Sequence, residues 1–127
     1  MNFIRIKITF SLLFALIINC AYSQPKLEIK DAKKSFGFVK KGEVVKLNYD
    51  IFNKGNEPLL INNIEIGCSC TTVEYDKKPV PPGQNTTVTI IFDTKTVYDR
   101  QDRTVLIQSN DKNSPHKLRY KGVVLTK

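Results

Sequence analysis

Apolar and polar residues alternate one by one along much of the chain. Every second side chain between Val45 and Ile51 is apolar, and the same period of two recurs at Val88–Phe92 and Val105–Ile107. Because successive side chains of a strand point to opposite faces, this period predicts half-buried β-strands. A last strand is predicted at Leu118–Val124. The turn-forming clusters between these segments are Asn53–Asn56, Pro81–Gly83 and Ser109–Pro115.

Three further strands complete the prediction. Weaker patterns occur at Leu27–Ile29 and Phe36–Val39, and a strand is expected within Leu59–Ile66. Helical periodicity is almost absent. About seven short strands separated by turns are typical of an immunoglobulin-like sandwich. The sequence therefore predicts an all-β fold class, an antiparallel β-sandwich that forms one domain.

The first residues predict a signal peptide rather than part of this fold. A short cationic start precedes the apolar run Ile8–Ile18, which is too short to span a bilayer comfortably. Ala21 and Ser23 are the small residues that a signal peptidase requires. We expect residues 1–23 to be removed and residues 24–127 to form the exported domain, with no transmembrane segment.

Cys20 raises the alternative of a lipoprotein signal, which also ends in a cysteine. The preceding residues disfavour it, because Asn19 stands where such signals carry Gly, Ala or Ser, and Ile17 replaces the usual Leu. We therefore predict an exported protein that is periplasmic, surface-associated or secreted, and lipidation at Cys20 is the second interpretation.

The predicted domain is basic. The whole chain has 20 Lys and Arg against 12 Asp and Glu. Two cations lie in the predicted signal peptide, so the domain keeps 18 against 12, a net charge of +6. Nucleic-acid binding would require a basic stripe with interleaved aromatic residues, and none is evident. We interpret the scattered lysines as a solvated surface and predict no nucleic-acid partner.

The triplet Cys68-Ser69-Cys70 is the unusual feature of the predicted domain. Both cysteines share parity with Ile64 and Ile66, so a continuing strand would place all four side chains on one face. Four interpretations are open: packed structural thiols, a disulfide favoured by an oxidising compartment, a redox role for that disulfide, or a soft metal such as Cu(I). A structural role is the leading interpretation.

Few other side chains suggest chemistry. A metal site would need more ligands than two thiolates, and His116, at a strand start, is expected to be an exposed edge residue. Asp99–Arg103 alternates charges, as a solvated surface loop does. No nucleophile elbow, phosphate-binding glycine loop or paired-carboxylate pattern occurs. We predict no enzymatic activity, no catalytic residue and no cofactor.

An ordered series of short motifs gives the sequence a family resemblance. It resembles the exported bacterial proteins grouped as domain of unknown function 1573, which are similar to Hydin-like and major-sperm-protein sandwiches. The resemblance implies an immunoglobulin-like sandwich outside the cytoplasm and leaves the activity open, because the family has no assigned one. The motifs are Phe36-Gly37, Gly42-Glu43, Asn53-Lys54-Gly55, Pro58-Leu59, Cys68-Ser69-Cys70-Thr71, Pro82-Gly83, Phe92-Asp93-Thr94, Ser109-Asn110, Pro115, Leu118 and Gly122.

One position departs from the family pattern. Ser69 stands where the family has glycine, the residue that adopts positive φ freely. A tight turn that closes a disulfide is harder to form with serine. This departure favours free thiols or an extended strand.

The functional prediction follows from the fold. We predict a non-catalytic binding or structural module of the cell envelope, whose partner is an envelope or extracellular protein. Strand addition at an exposed sheet edge is one route to such binding. The alternative is a redox-active or Cu(I)-binding protein that uses Cys68 and Cys70.

Overall fold

The alternating segments form strands throughout the computed structural model, which describes residues 23–126. Apart from Ser23, the predicted signal peptide lies outside the described residues, and so does Cys20. No helix in the described range is long and apolar enough to cross a membrane. The strands are β1 (Leu27–Ile29), β2 (Lys33–Lys40), β3 (Val44–Asn53), β4 (Ile61–Ile66), β5 (Thr71–Tyr75), β6 (Asn85–Asp93), β7 (Asp99–Ser109) and β8 (His116–Leu125).

These strands build two four-stranded sheets around a shared core. The strand order is β1-β3-β6-β5 in one sheet and β2-β8-β7-β4 in the other. Every pair is antiparallel except β2 with β8, which is parallel. The predicted all-β, immunoglobulin-like sandwich is therefore confirmed.

Two strands differ from the sequence prediction. Strand β5 was not predicted, because its first inward position is the polar Thr71 rather than an apolar residue. The charged segment Asp99–Arg103 is the first half of β7 and not a surface loop. Its two inward polar side chains are hydrogen-bonded to each other, since Arg103 Nη2 donates to Gln101 Oε1 at 2.8 Å.

Three aromatic rings form the part of the core beneath β2. The ring centroids of Phe36 and Phe92 are 5.5 Å apart, and those of Phe92 and Tyr120 are 5.3 Å apart. The neighbouring backbone has no room for a side chain at Gly122, where a Cβ would lie 2.3 Å from Cε2 of Phe36. Glycine at this position therefore allows the Phe36 ring to reach the core.

A buried carboxylate fastens β1 to the loop between β7 and β8. Asp111 is 5 % exposed, and its carboxylate accepts hydrogen bonds from the backbone N–H of Leu27 at 2.5 Å and of Asn113 at 2.7 Å. His116 Nε2 lies 3.4 Å from Asp111 Oδ2, and the His116 side chain is only 21 % exposed. The expectation of an exposed histidine was wrong, because the His116 ring lies against the buried Asp111 carboxylate.

Candidate functional site

A disulfide joins Cys68 and Cys70 in the turn between β4 and β5, with a Cα–Cα distance of 5.2 Å. Strand β4 ends at Ile66, and the backbone N–H of Thr71 donates to the Cys68 carbonyl at 3.2 Å. The chain therefore does not continue as a strand through the triplet. Hydrogen bonding closes a turn, and the turn brings the two sulfurs together.

Ser69 does not prevent this turn. Among the described residues other than glycine, only Asp99 has positive φ, so Ser69 keeps an ordinary backbone conformation. The triplet closes without the left-handed geometry for which glycine would be needed. The inference that serine favours free thiols or an extended strand was wrong for this reason.

The two sulfurs of the disulfide have different environments. Cys70 is 7 % exposed and belongs to the hydrophobic core, whereas Cys68 is half-buried and packs against the edge of that core. Cys68 also lines a small cleft of about 190 Å³. Cys68 therefore borders this cleft, and Cys70 is not among its lining residues. The other residues of the cleft are Gly67, Thr71, Asp102, Arg103, Thr104, Val105 and Tyr120.

Each sulfur of the disulfide has one polar contact, and the contact of Cys70 leads to the opposite sheet. Thr71 Oγ1 lies 3.7 Å from Cys70 Sγ and 2.6 Å from the hydroxyl of Tyr120 on the opposite sheet. The backbone N–H of Cys70 donates to Cys68 Sγ at 3.2 Å. Burial raises the pKa of Tyr120, which the Thr71 hydrogen bond and the charge of Arg103 only partly oppose. Tyr120 therefore stays protonated and able to donate at neutral pH.

The one histidine of the sequence does not join this site. His116 contacts Asp111 and does not line the Cys68 cleft. In the part of the chain that the structure describes, no group of three or more His, Cys, Asp or Glu could hold a metal ion. The structure thus brings together Cys68, Cys70, Thr71 and Tyr120, of which the sequence singled out only the two cysteines.

The outward side chains of the two sheets differ in charge. We call the outer surface of β2-β8-β7-β4 the basic face and that of β1-β3-β6-β5 the acidic face. Sequence reasoning missed both, although Lys117, Arg119 and Lys121 already alternate with buried positions along β8. The basic face carries Lys33, Lys40, Arg100, Lys117, Arg119 and Lys121 with the acids Glu65 and Asp102. The acidic face carries Glu28, Asp50, Glu74 and Asp93 with Lys46 and with Lys54, whose Nζ lies 5.2 Å from the centroid of the outward Phe52 ring.

An exposed aromatic residue adjoins the charges of the basic face. Phe38 is 75 % exposed and pairs in register with Val123, which in turn pairs with Arg100. These residues line a shallow groove of about 370 Å³ that also includes Lys121. Arg119 binds Asp102 through two hydrogen bonds of 2.5 and 2.7 Å, which lower the pKa of the Asp102 carboxyl. The groove combines cationic and apolar character on one open surface.

Comparison with known sequences identifies one family. The model of the family described as "Protein of unknown function (DUF1573)" matches residues 27–124, which is most of the chain. No curated protein matches the sequence.

Solved structures show the same architecture. A protein of unknown function from Porphyromonas gingivalis W83 aligns with a TM-score of 0.72 at 20 % identity over 81 % of this chain and 49 % of its own. This chain therefore spans about half of that protein's length. The PapD-like domain 7 of human CEP192 aligns with a TM-score of 0.62 at 10 % identity, covering 84 % and 88 % of the two chains.

A third structure is the CupB2 chaperone of Pseudomonas aeruginosa, with a TM-score of 0.52 at 12 % identity over 78 % of this chain and 55 % of that one. All three identities are low. The alignments therefore establish a PapD-like, immunoglobulin-like fold and carry no activity with them.

Proposed function

The chain belongs to the family of unknown function DUF1573, and we propose that it is an exported, non-catalytic module that binds an acidic protein of the cell envelope. The observation that carries this proposal is the separation of charge between the basic face and the acidic face. Sandwich domains of this fold occur in many proteins with unrelated functions, so the function has to be argued from the surface and not from the fold.

The basic face combines two elements of protein interfaces. Its cations, Lys117 and Lys121 among them, attract an acidic surface and favour one orientation of approach. Phe38 offers an exposed ring of the kind that provides much of the binding energy once a partner covers it. Binding of this type weakens as salt is added, because exposed charges are screened beyond about 8 Å at physiological ionic strength.

Charge reversal on one face at a time tests the proposal. The mature domain and its Lys117→Glu/Lys121→Glu variant are used to capture proteins from an envelope fraction, and the captured proteins are identified by mass spectrometry. We expect the wild-type domain to retain an acidic protein that the variant loses and that salt elutes. The matched control is Asp50→Lys/Glu74→Lys on the acidic face, which should capture as the wild type does. Equal capture by both variants would refute the role of the basic face.

A second function, thiol–disulfide exchange at Cys68–Cys70, is favoured by the position of Cys68 in the lining of the cleft. Strained or exposed disulfides are the ones that exchange, whereas buried structural ones resist reduction. The test is the intact mass of the folded domain after incubation in glutathione buffers of graded potential and alkylation. Reduction at potentials above about −300 mV supports exchange, and a disulfide that stays closed there is structural.

A further inference from the structure

We propose that Thr71 and Tyr120 form a hydrogen-bond relay that stabilises the Cys70 thiolate, so that exchange at this disulfide begins at Cys68 and releases Cys70. The inference rests on the exchange function proposed above and assigns roles to two residues that are not cysteines. Its basis is the chain of short contacts from Cys70 Sγ through Thr71 Oγ1 to the Tyr120 hydroxyl.

The direction of the hydrogen bonds follows from the number of available protons. A disulfide sulfur has no hydrogen, so Thr71 must donate its hydroxyl proton to Cys70 Sγ in the 3.7 Å contact. A threonine hydroxyl has only one proton to donate. In the relay, Thr71 gives that proton to the sulfur, and Tyr120 is then the donor to Thr71 Oγ1 in the 2.6 Å contact. The Thr71 hydroxyl then faces the sulfur on which negative charge develops during reduction, and Tyr120 supports that hydroxyl from behind.

The difference in exposure selects the sulfur that is attacked. Cys68 is half-buried and borders the cleft, whereas Cys70 is 7 % exposed and its sulfur lies against Thr71. An incoming thiolate can approach Cys68 Sγ from the cleft. Cys70 then has to leave as a thiolate in a buried position, where an unassisted charge is costly. The hydrogen bonds of the relay stabilise the buried thiolate, and they are in place before the reaction.

The exchange balances with a dithiol protein as the reductant. A thiolate of the partner forms a bond to Cys68 Sγ, the Cys68–Cys70 bond breaks, and Cys70 Sγ takes the electron pair. The second thiol of the partner loses its proton to solvent and attacks the partner's own sulfur in the mixed disulfide, which releases Cys68 as a thiolate. The partner is oxidised by two electrons and this disulfide is reduced by two. The same steps in reverse oxidise the reduced triplet with a partner disulfide.

The size of the cleft limits the reactive group. A space of about 190 Å³ beside Cys68 fits a single side chain, such as a cysteine on an extended segment. Arg103 and Asp102 line the same cleft, so the flanking residues of the partner meet one charge of each sign. The geometry points to an exposed cysteine pair on a polypeptide as the substrate class.

Substitutions that remove one hydroxyl at a time test the relay. Thr71→Val keeps the shape of the side chain and removes the donor to Cys70 Sγ, and Tyr120→Phe removes the donor to Thr71. The matched control is Tyr49→Phe, because Tyr49 is also a buried tyrosine but donates to the Arg119 carbonyl at 2.9 Å, away from the disulfide. For each protein, the reduction potential is measured in glutathione buffers and the rate of reduction with dithiothreitol. The reduced proteins are also alkylated as a function of pH.

We expect Thr71→Val to lower the equilibrium constant for reduction about tenfold, the scale of one hydrogen bond to a charged group. For a two-electron couple this is a shift of about 30 mV to more negative potential. The reduction rate should fall in parallel and the pKa of the Cys70 thiol should rise. Tyr120→Phe should give a smaller shift of the same sign, and the double variant should shift no further than Thr71→Val.

The outcomes separate the relay from the exchange function. If the wild-type disulfide exchanges but Thr71→Val and Tyr120→Phe shift the potential no more than Tyr49→Phe does, the relay is refuted and exchange stands. If dithiothreitol and glutathione do not open the disulfide of the folded wild type, exchange itself is refuted and the relay with it. Chemical denaturation of every variant distinguishes a shift in potential from a loss of folded protein.

Discussion

Replacement of Asp111 by alanine is the most informative single test of the fold. The carboxylate of Asp111 accepts the backbone N–H of Leu27 in β1 and of Asn113 in its own loop. Its side chain is 1 % exposed. The substitution would leave the Leu27 N–H without its acceptor and would detach the short strand β1 from the β7–β8 loop.

The magnitude follows from those two contacts. A hydrogen bond to a charged group contributes about 1.5–3 kcal/mol, and a buried donor left unpaired costs about 1–3 kcal/mol. The Leu27 bond is buried, whereas the Asn113 bond is only partly buried and counts for less. We expect Asp111→Ala to lower the free energy of unfolding by about 3 kcal/mol, a large fraction of the roughly 5–15 kcal/mol of a typical domain.

The same contacts give a pH dependence. Burial alone would raise the pKa of Asp111, but the N–H groups of Asn113 and Leu27 and the nearby His116 outweigh it and lower the pKa. A lowered pKa stabilises the folded state above the unfolded-state pKa of about 3.9, and that stabilisation is lost as the pH falls through the lower folded-state value. The difference in stability between wild type and Asp111→Asn should therefore shrink as the pH falls below about 4.

Urea denaturation followed by far-UV circular dichroism measures both effects, since the chain has no tryptophan for fluorescence. The control is Asp50→Ala on the acidic face, where the exposed carboxylate accepts only a 3.3 Å bond from Thr87. We expect this control to stay within about 0.5 kcal/mol of wild type. A loss below about 1 kcal/mol for Asp111→Ala, or a pH-independent difference for Asp111→Asn, would refute the reasoning.

Three further predictions concern packing and the disulfide. Gly122→Ala should destabilise the domain by about 1–3 kcal/mol, because the new methyl group overlaps the Phe36 ring, and an unchanged urea midpoint would contradict the observed close approach. Phe92→Ala should cost about 3–5 kcal/mol, since a fully buried ring is removed, and a smaller loss in the same assay would mean that the core can collapse around the gap. The double variant Cys68→Ser/Cys70→Ser should lose only about 1.5 kcal/mol, because the disulfide closes a three-residue loop, and a loss above about 4 kcal/mol would identify it as a main structural link.

The strands with a clear period of two were predictable from the sequence. Strand β6 shows the reason, since Val88, Ile90 and Phe92 are fully buried and the residues between them are polar or half-buried. Strand β5 was not predictable in this way, because its inward residue Thr71 is polar. Thr71 can be buried because its hydroxyl is hydrogen-bonded to Tyr120, which is distant in sequence. A hydrogen bond between two sheets cannot be inferred from the periodicity of either strand.

The candidate sites were only partly predictable for a similar reason. The two cysteines are visible in the sequence, but the turn that unites them depends on how β4 ends and β5 begins. The cations of the basic face look scattered because they come from strands that become neighbours only through pairing. Lys33 and Arg119, far apart in the chain, are register partners in the parallel pair of β2 and β8. Charge separation is thus a property of the sheet order.

The opposite charges of the two outer faces give the domain an electric dipole that crosses the sandwich from one sheet to the other. A charged surface exerts a torque on such a dipole and rotates the domain before any side chain makes contact. At physiological ionic strength the torque acts only within about 8 Å, so the domain diffuses in random orientation until the last step of approach. An anionic surface then turns the basic face, with Phe38, toward itself. A cationic surface turns the acidic face toward itself and leaves the Phe38 groove facing the solvent.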